Sequence, residues 1–253
     1  MQRGMWPNMP ILGIVASAKS KGPAGLPNLH SWYDAADATT IISSSGKVSQ
    51  WNDKSGNSRN LTQGTGANQP GIGTTTQNGK NVITFNGTNQ MMFASASVTS
   101  NALTFFTVYK RDSGGVTYGR LLSLYRNTGN DYDNTDSIVV QASALSSPPN
   151  INAYRASAQI TPNSNISYGV AYSASMTLNG TAVSLNNSGT ITTGTTSATS
   201  LNANAITMGA GGPSGGGDQY LNGWIAEHII YTRVLSASEI TLIRNYLSSK
   251  WGV

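Results

Sequence analysis

The sequence predicts an all-β fold, two antiparallel sheets packed face to face with one C-terminal helix, and three observations carry that prediction. Short β-branched or aromatic runs recur along the chain, each bounded by Gly, Asn, Asp, Ser or Pro. Charged residues are only 10% of the 253, against about 25% in an average soluble domain, so Ser, Thr, Asn and Gly supply the polar surface. Helical periodicity is confined to the C-terminus. The 38% of hydrophobic residues can fill a sizeable core, and β-sandwiches of this length form one domain.

Residues 1–27 read as an extended basic arm. They carry Arg3, Lys19 and Lys21 without an acid, and Pro7, Pro10, Pro23 and Pro27 keep them from regular structure. Such an arm frays unless a partner chain or its own domain holds it. Arg3, the apolar Ile11 to Val15 and the Ala16-Ser17-Ala18 triplet imitate a secretory signal. The apolar stretch is too short and is preceded by Pro7, Asn8 and Pro10, so cleavage is not expected.

From residue 28 to residue 253 the pattern is strand after strand. Runs at 81–86, 103–110, 120–126, 137–142, 166–173 and 223–232 fit strands. In "SMTLNGTAVSL", Asn179-Gly180 lies between two alternating segments and suits a type I′ hairpin. Residues 186–204, "NNSGTITTGTTSATSLNAN", are of low complexity and read as polar-faced strands and loops. At the end, Ser236 and Glu239 form a capping box, with Leu235 and Ile240 as its hydrophobic staple. Ile240, Ile243, Tyr246 and Leu247 then line one apolar helix face, which places the helix on a sheet with Trp251 as a terminal plug.

Several function classes recede at this stage. The net charge of +5 is scattered, and only Lys110-Arg111 are adjacent basic residues, so no basic stripe marks a nucleic-acid groove. With no cysteine there is no disulfide, thiolate zinc site or cysteine nucleophile. No apolar run approaches the roughly eighteen residues of a membrane-spanning helix.

The segments "LHSWYDAADATTI", "GKVSQWNDKSGNSRNLTQ", "ANQP", "NGKNVITFNGTNQMMF" and "LNGWIAEHIIYTRVLSASEITLIRNYLSSKWGV" together resemble the laminin-G-like, concanavalin A-like jelly-roll domains of bacteriophage structural proteins and bacterial surface proteins. They frame residues 28–253, while residues 110–200 match by position only. The arm around "ILGIVAS" resembles the segments preceding such domains in phage virion proteins. The resemblance implies a jelly roll in which the WND-SGN stretch is a fold signature: Trp51 enters the core, Asp53 and Asn57 bind nearby backbone, and Gly56 supplies a turn. Asp34 and Asp37 brace loops in the same way.

Candidate sites follow from residue chemistry and this resemblance. A glucanase on such a fold commonly places paired carboxylates along one strand. The chain has only Glu227 and Glu239 as glutamates, and His30 and His228 lack a triad context, so no enzymatic activity is expected. Asp131, Asp133 and Asp136 in "DYDNTD" offer hard oxygens suited to calcium, although a solvated acidic loop reads the same way; no other cofactor is expected. Tyr118, Tyr132, Tyr154 and Tyr220 are the candidates for stacking on glycan. The expected function is that of a phage virion component. Its arm would dock on other virion proteins through Ile11, Leu12, Ile14, Val15, Lys19 and Lys21, oligomeric in the particle, and its jelly roll would hold host polysaccharide weakly. Neither nucleic acid nor membrane insertion is expected. A free carbohydrate-binding lectin is the alternative.

Overall fold

The computed structural model describes residues 22–126, 131, 136–155, 158–196, 200–212 and 219–253, with 158–162 described by backbone alone. In chain order the strands are β1 (Leu29–Asp34), β2 (Ile41–Ser44), β3 (Lys47–Trp51), β4 (Leu61–Thr62), β5 (Thr76–Gln77), β6 (Lys80–Asn81), β7 (Ile83–Asn86), β8 (Met92–Ser100) and β9 (Ala102–Arg111). They continue with β10 (Tyr118–Tyr125), β11 (Ile138–Ser143), β12 (Asn150–Arg155), β13 (Ala158–Asn165), β14 (Ala171–Asn179), β15 (Ala182–Asn187), β16 (Thr190–Thr195), β17 (Leu201–Met208) and β18 (Asn222–Tyr231). One α-helix, α1 (Ala237–Trp251), closes the chain.

Two large antiparallel sheets form the predicted sandwich. One runs β1-β18-β9-β14-β15-β16 with β7 also on β18, and the other runs β13-β12-β11-β10-β17-β8-β4-β3-β2. Between them lies a core of Trp51, Leu61, Phe105, Leu122, Leu124, Val140, Ile206 and their neighbours. A second core packs the outer face of β9 and β18, through Phe106, Val108, Trp224 and Ile229, against Ile243, Leu247 and Trp251 of α1. Both faces of β9 and β18 are therefore covered, which explains why these strands read as nearly continuous apolar runs.

Local chemistry sets the boundaries. Ser236 accepts from the Glu239 amide, Glu239 reaches back to the Ser236 amide, and Gly252 ends the helix in the left-handed region at φ 70°; both ends are capped as the sequence predicts. The Asn179-Gly180 hairpin is present but displaced by one residue. Asn179 pairs with Ala182, so Gly180 and Thr181 form the turn. Only Gly180 has positive φ, the pattern of type II′ rather than I′. The run at 166–173 is not one strand: the Val170 amide donates to Ser167 and Gly169 takes positive φ, which turns the chain between β13 and β14.

Residues 22–27 pack on this body. Gly22 and Pro23 are buried in a short 3-10 turn, and the Tyr231 hydroxyl donates to the Pro23 carbonyl at 2.8 Å. Ile11, Leu12, Ile14, Val15, Lys19 and Lys21 lie outside the described residues. Among the described residues, no helix is long and apolar enough to cross a membrane.

Candidate functional site

The sequence signatures at both ends of the chain converge on two structural clusters. In the first, the Asp53 carboxylate accepts from the amides of Trp32 (2.9 Å), Ser55 (2.8 Å) and Arg59 (3.1 Å) and from the Ser55 hydroxyl (2.8 Å). Asn57 Nδ2 donates to the carbonyls of Leu29 and His30. Trp51 is fully buried at the end of β3. The Trp-Asn-Asp loop thus locks the β3–β4 connection onto β1, the architectural role the resemblance implies.

The second cluster is ionic. A β-bulge between Ile225 and Glu227, opposite Tyr109 and Val108 of β9, re-aims Glu227 toward α1. There its buried carboxylate accepts from Trp32 Nε1 (2.7 Å), Trp251 Nε1 (2.7 Å), the Tyr246 hydroxyl (2.9 Å) and Lys250 Nζ (2.7 Å). Lys250 also reaches Asp34 at 2.5 Å, and Lys54 joins Asp34 and Asp37 at 2.8 and 2.7 Å. Burial pushes the Glu227 carboxyl up while Lys250 pulls it down; the Lys54 hydrogen bond holds Asp37 down at about 2. Every Glu227 oxygen is engaged, so this cluster pins helix to sheet. Glu239 caps α1 and pairs with Arg233 at 2.7 Å.

A different arrangement lies on the outer face of the second sheet. Alternation sends Leu122, Leu124, Val140, Ala142, Ile151 and Ala153 into the core, and a β-bulge between Arg120 and Leu122 reverses the phase of β10, so Tyr118 and Arg120 join Gln141 of β11 and Asn152 and Tyr154 of β12 on the opposite face. Cα pairing aligns Arg120 with Gln141 and Gln141 with Asn152. Tyr118 and Tyr154, both half-buried, stand at opposite corners of this patch. Together with Arg120, Gln141 and Gln219 they line a cavity of about 190 Å³. Tyr220 follows Gln219 but is not a lining residue, and Tyr132 lies outside the described residues.

Connections between strands complete the cavity. Asp131 is buried beside it: its Oδ2 accepts from the Ser123 hydroxyl at 2.6 Å and from Arg120 Nε at 3.2 Å. Gly211 makes room, since a Cβ there would stand 1.8 Å from Gln219 Oε1 and 3.2 Å from Asp131 Oδ2. Among the described residues, both amide atoms of Gln141, Gln219 Oε1, Asn152 Oδ1, Asp131 Oδ1 and the Tyr125 hydroxyl are buried without a hydrogen-bond partner. Each such atom costs about 1–3 kcal/mol. Of these residues, Gln141 and Gln219 line the cavity.

The predicted glycan residues Tyr118 and Tyr154 are thus brought together. Arg120, Gln141 and Gln219 join them although no motif marks them. Asp131 and Asp136 diverge, Asp136 pairing with Arg126 at 3.2 Å, and Asp133 lies outside the described residues. Among the described residues, no group of three or more His, Asp or Glu could hold a metal ion. His30 Nε2 meets the Ser97 carbonyl at 3.0 Å, and His228 is fully buried against Phe105.

The two sheets and the covering helix define an antiparallel β-sandwich. No protein-family profile matches the chain, and no curated protein matches it. Among solved structures it is similar to a GH54 α-L-arabinofuranosidase soaked with 4-nitrophenyl α-L-arabinofuranoside, with TM-score 0.58 and 16% identity over 81% of this chain and 51% of that one. It is similar to the Trypanosoma rangeli sialidase in complex with sialic acid, with TM-score 0.58 and 16% identity over 89% of this chain and 33% of that one. Domain 4 of a GH43 extracellular arabinanase from Geobacillus stearothermophilus, in complex with arabinotriose, matches with TM-score 0.56 and 14% identity over 85% of this chain and 98% of that domain. The chain spans about half the length of the arabinofuranosidase and a third of the sialidase.

These structures correct the expectation that the chain is not an enzyme. The sandwich is carried by arabinofuranosidases and a sialidase, so the lack of paired glutamates on one strand does not separate it from enzymes. The physical reason is that the carboxylates such an enzyme pairs can converge from separate loops and need not share one strand.

Proposed function

We propose that the chain is a saccharide-binding β-sandwich that holds its ligand in the Tyr118–Tyr154 cavity. The cavity itself carries this reading. Its tyrosines offer apolar ring faces, and the Gln141 amide with Gln219 Oε1 offers the polar contacts that fix a sugar's orientation. Support also comes from the arabinanase domain, solved in complex with arabinotriose, to which this chain is similar over nearly the whole length of that domain. Calorimetric titration of wild type, Tyr118→Ala and Tyr154→Ala against arabinose, galactose and short oligosaccharides tests it. Binding that weakens about tenfold or more in either variant supports the site, given that stacking on one aromatic is worth roughly 1–3 kcal/mol in comparable ring contacts. Equal binding by all three proteins sinks it.

We further propose that the sandwich is displayed on a bacteriophage particle, docked by residues 1–21. The ordered resemblance of segments to phage jelly-roll domains and the apolar, basic composition of Ile11 to Lys21 motivate this setting. Deletion of residues 1–21 should abolish incorporation into particles, read by their subunit composition; unchanged incorporation refutes docking by the arm.

A further inference from the structure

We infer that the cavity takes a single neutral sugar residue and rejects acidic sugars, with Asp131 as the residue that sets this selectivity. The inference rests on the saccharide reading above. Among the described residues, Arg120 is the one cation lining the cavity, and an acidic sugar would seek its guanidinium. That charge is already answered from within the protein: Asp131 Oδ2 lies 3.2 Å from Arg120 Nε, and both side chains are buried. A ligand carboxylate would meet a balanced ion pair and lose its hydration without gaining a partner.

The unpartnered atoms of the lining residues point the same way: Gln141 Oε1 and Gln219 Oε1 are acceptors, against one amide donor on Gln141. Exchanging oxygen and nitrogen on Gln141 changes nothing, because both its atoms lack partners. Such a face calls for a ligand rich in donors. Sugar hydroxyls donate; a carboxylate only accepts. Size limits the occupant further: about 190 Å³ is below the roughly 300 Å³ at which sites for drug-sized ligands begin, which fits one ring rather than a chain lying along the sheet.

The test titrates the full chain with galactose against galacturonic acid and with glucose against glucuronic acid, pairs that differ only at C6. The neutral member should bind at least about tenfold more tightly, since an unanswered buried charge is strongly unfavourable. In Asp131→Asn the preference should shrink or invert as Arg120 loses its partner. Acidic sugars bound as well as neutral ones by wild type overturn the inference without touching the saccharide reading, and need no variant to fold. If no sugar of either charge binds, the saccharide reading fails and takes the inference with it.

Discussion

Glu227 shows how one side chain serves three elements. Its carboxylate accepts from indoles on β1 and α1 and from Lys250, which itself reaches Asp34. Removing one partner of a buried ion pair costs roughly 3–5 kcal/mol because the other is left uncompensated. Glu227→Ala and Lys250→Ala should each lose stability of that order in urea unfolding, and the double variant should lose clearly less than the sum. Additive losses would show that the pair is not coupled. His228 makes a second residue-scale prediction. Burial holds its imidazole down at about 3, and burial likewise lowers His30 to about 4. The unfolded chain binds protons below pH 6.5 that the folded chain refuses, so stability falls as pH drops through 6.5 and continues to fall toward the folded values. For His228 alone the loss is about 2 kcal/mol between pH 7.5 and pH 5. His228→Leu should flatten that part of the profile; an unchanged slope would place the proton uptake elsewhere.

At the scale of elements, stability is concentrated where short sequence signals sit. The α1 cap is one, and Ser236→Ala should cost about 1 kcal/mol without altering the cavity, which lies on the other sheet. The Asp53 loop is another: Asp53→Ala removes the acceptor of three backbone amides, so hydrogen exchange should quicken at Trp32, Ser55 and Arg59 while β9 stays protected. Protection unchanged at those amides would mean that the loop is held by other contacts. These elements were legible in the sequence because each signal is local: a capping box spans four residues, and a turn-bounded strand fewer than twelve. The run at 166–173 misled because a turn around Gly169 sits inside an apolar stretch. The cavity was legible only in part. Tyr118 and Tyr154 stood out as aromatics, whereas Arg120, Gln141 and Gln219 come together through lateral pairing and a connection, which no window of sequence contains.

For the whole molecule, the boundary between arm and sandwich determines how any docking experiment must be built. A boundary after residue 27 follows from composition, yet Gly22 and Pro23 are buried, Gly22 lies against the Tyr246 ring, and the Tyr231 hydroxyl and Arg233 guanidinium donate to the carbonyls of Pro23 and Pro27. Truncation after residue 21 leaves all of these contacts in place. Truncation after residue 27 strips the partner from the buried Tyr231 hydroxyl, a loss of about 1–3 kcal/mol, and uncovers the Tyr246 side of α1 next to the Glu227 cluster. The shorter chain should melt several degrees lower, at roughly 2–4 °C per kcal/mol for a domain of this size. Equal melting of both truncations would make residues 22–27 part of the arm after all. A lower melt in the shorter form alone would mean that failure of that form to enter a particle reports on folding, leaving truncation after residue 21 as the clean test of docking.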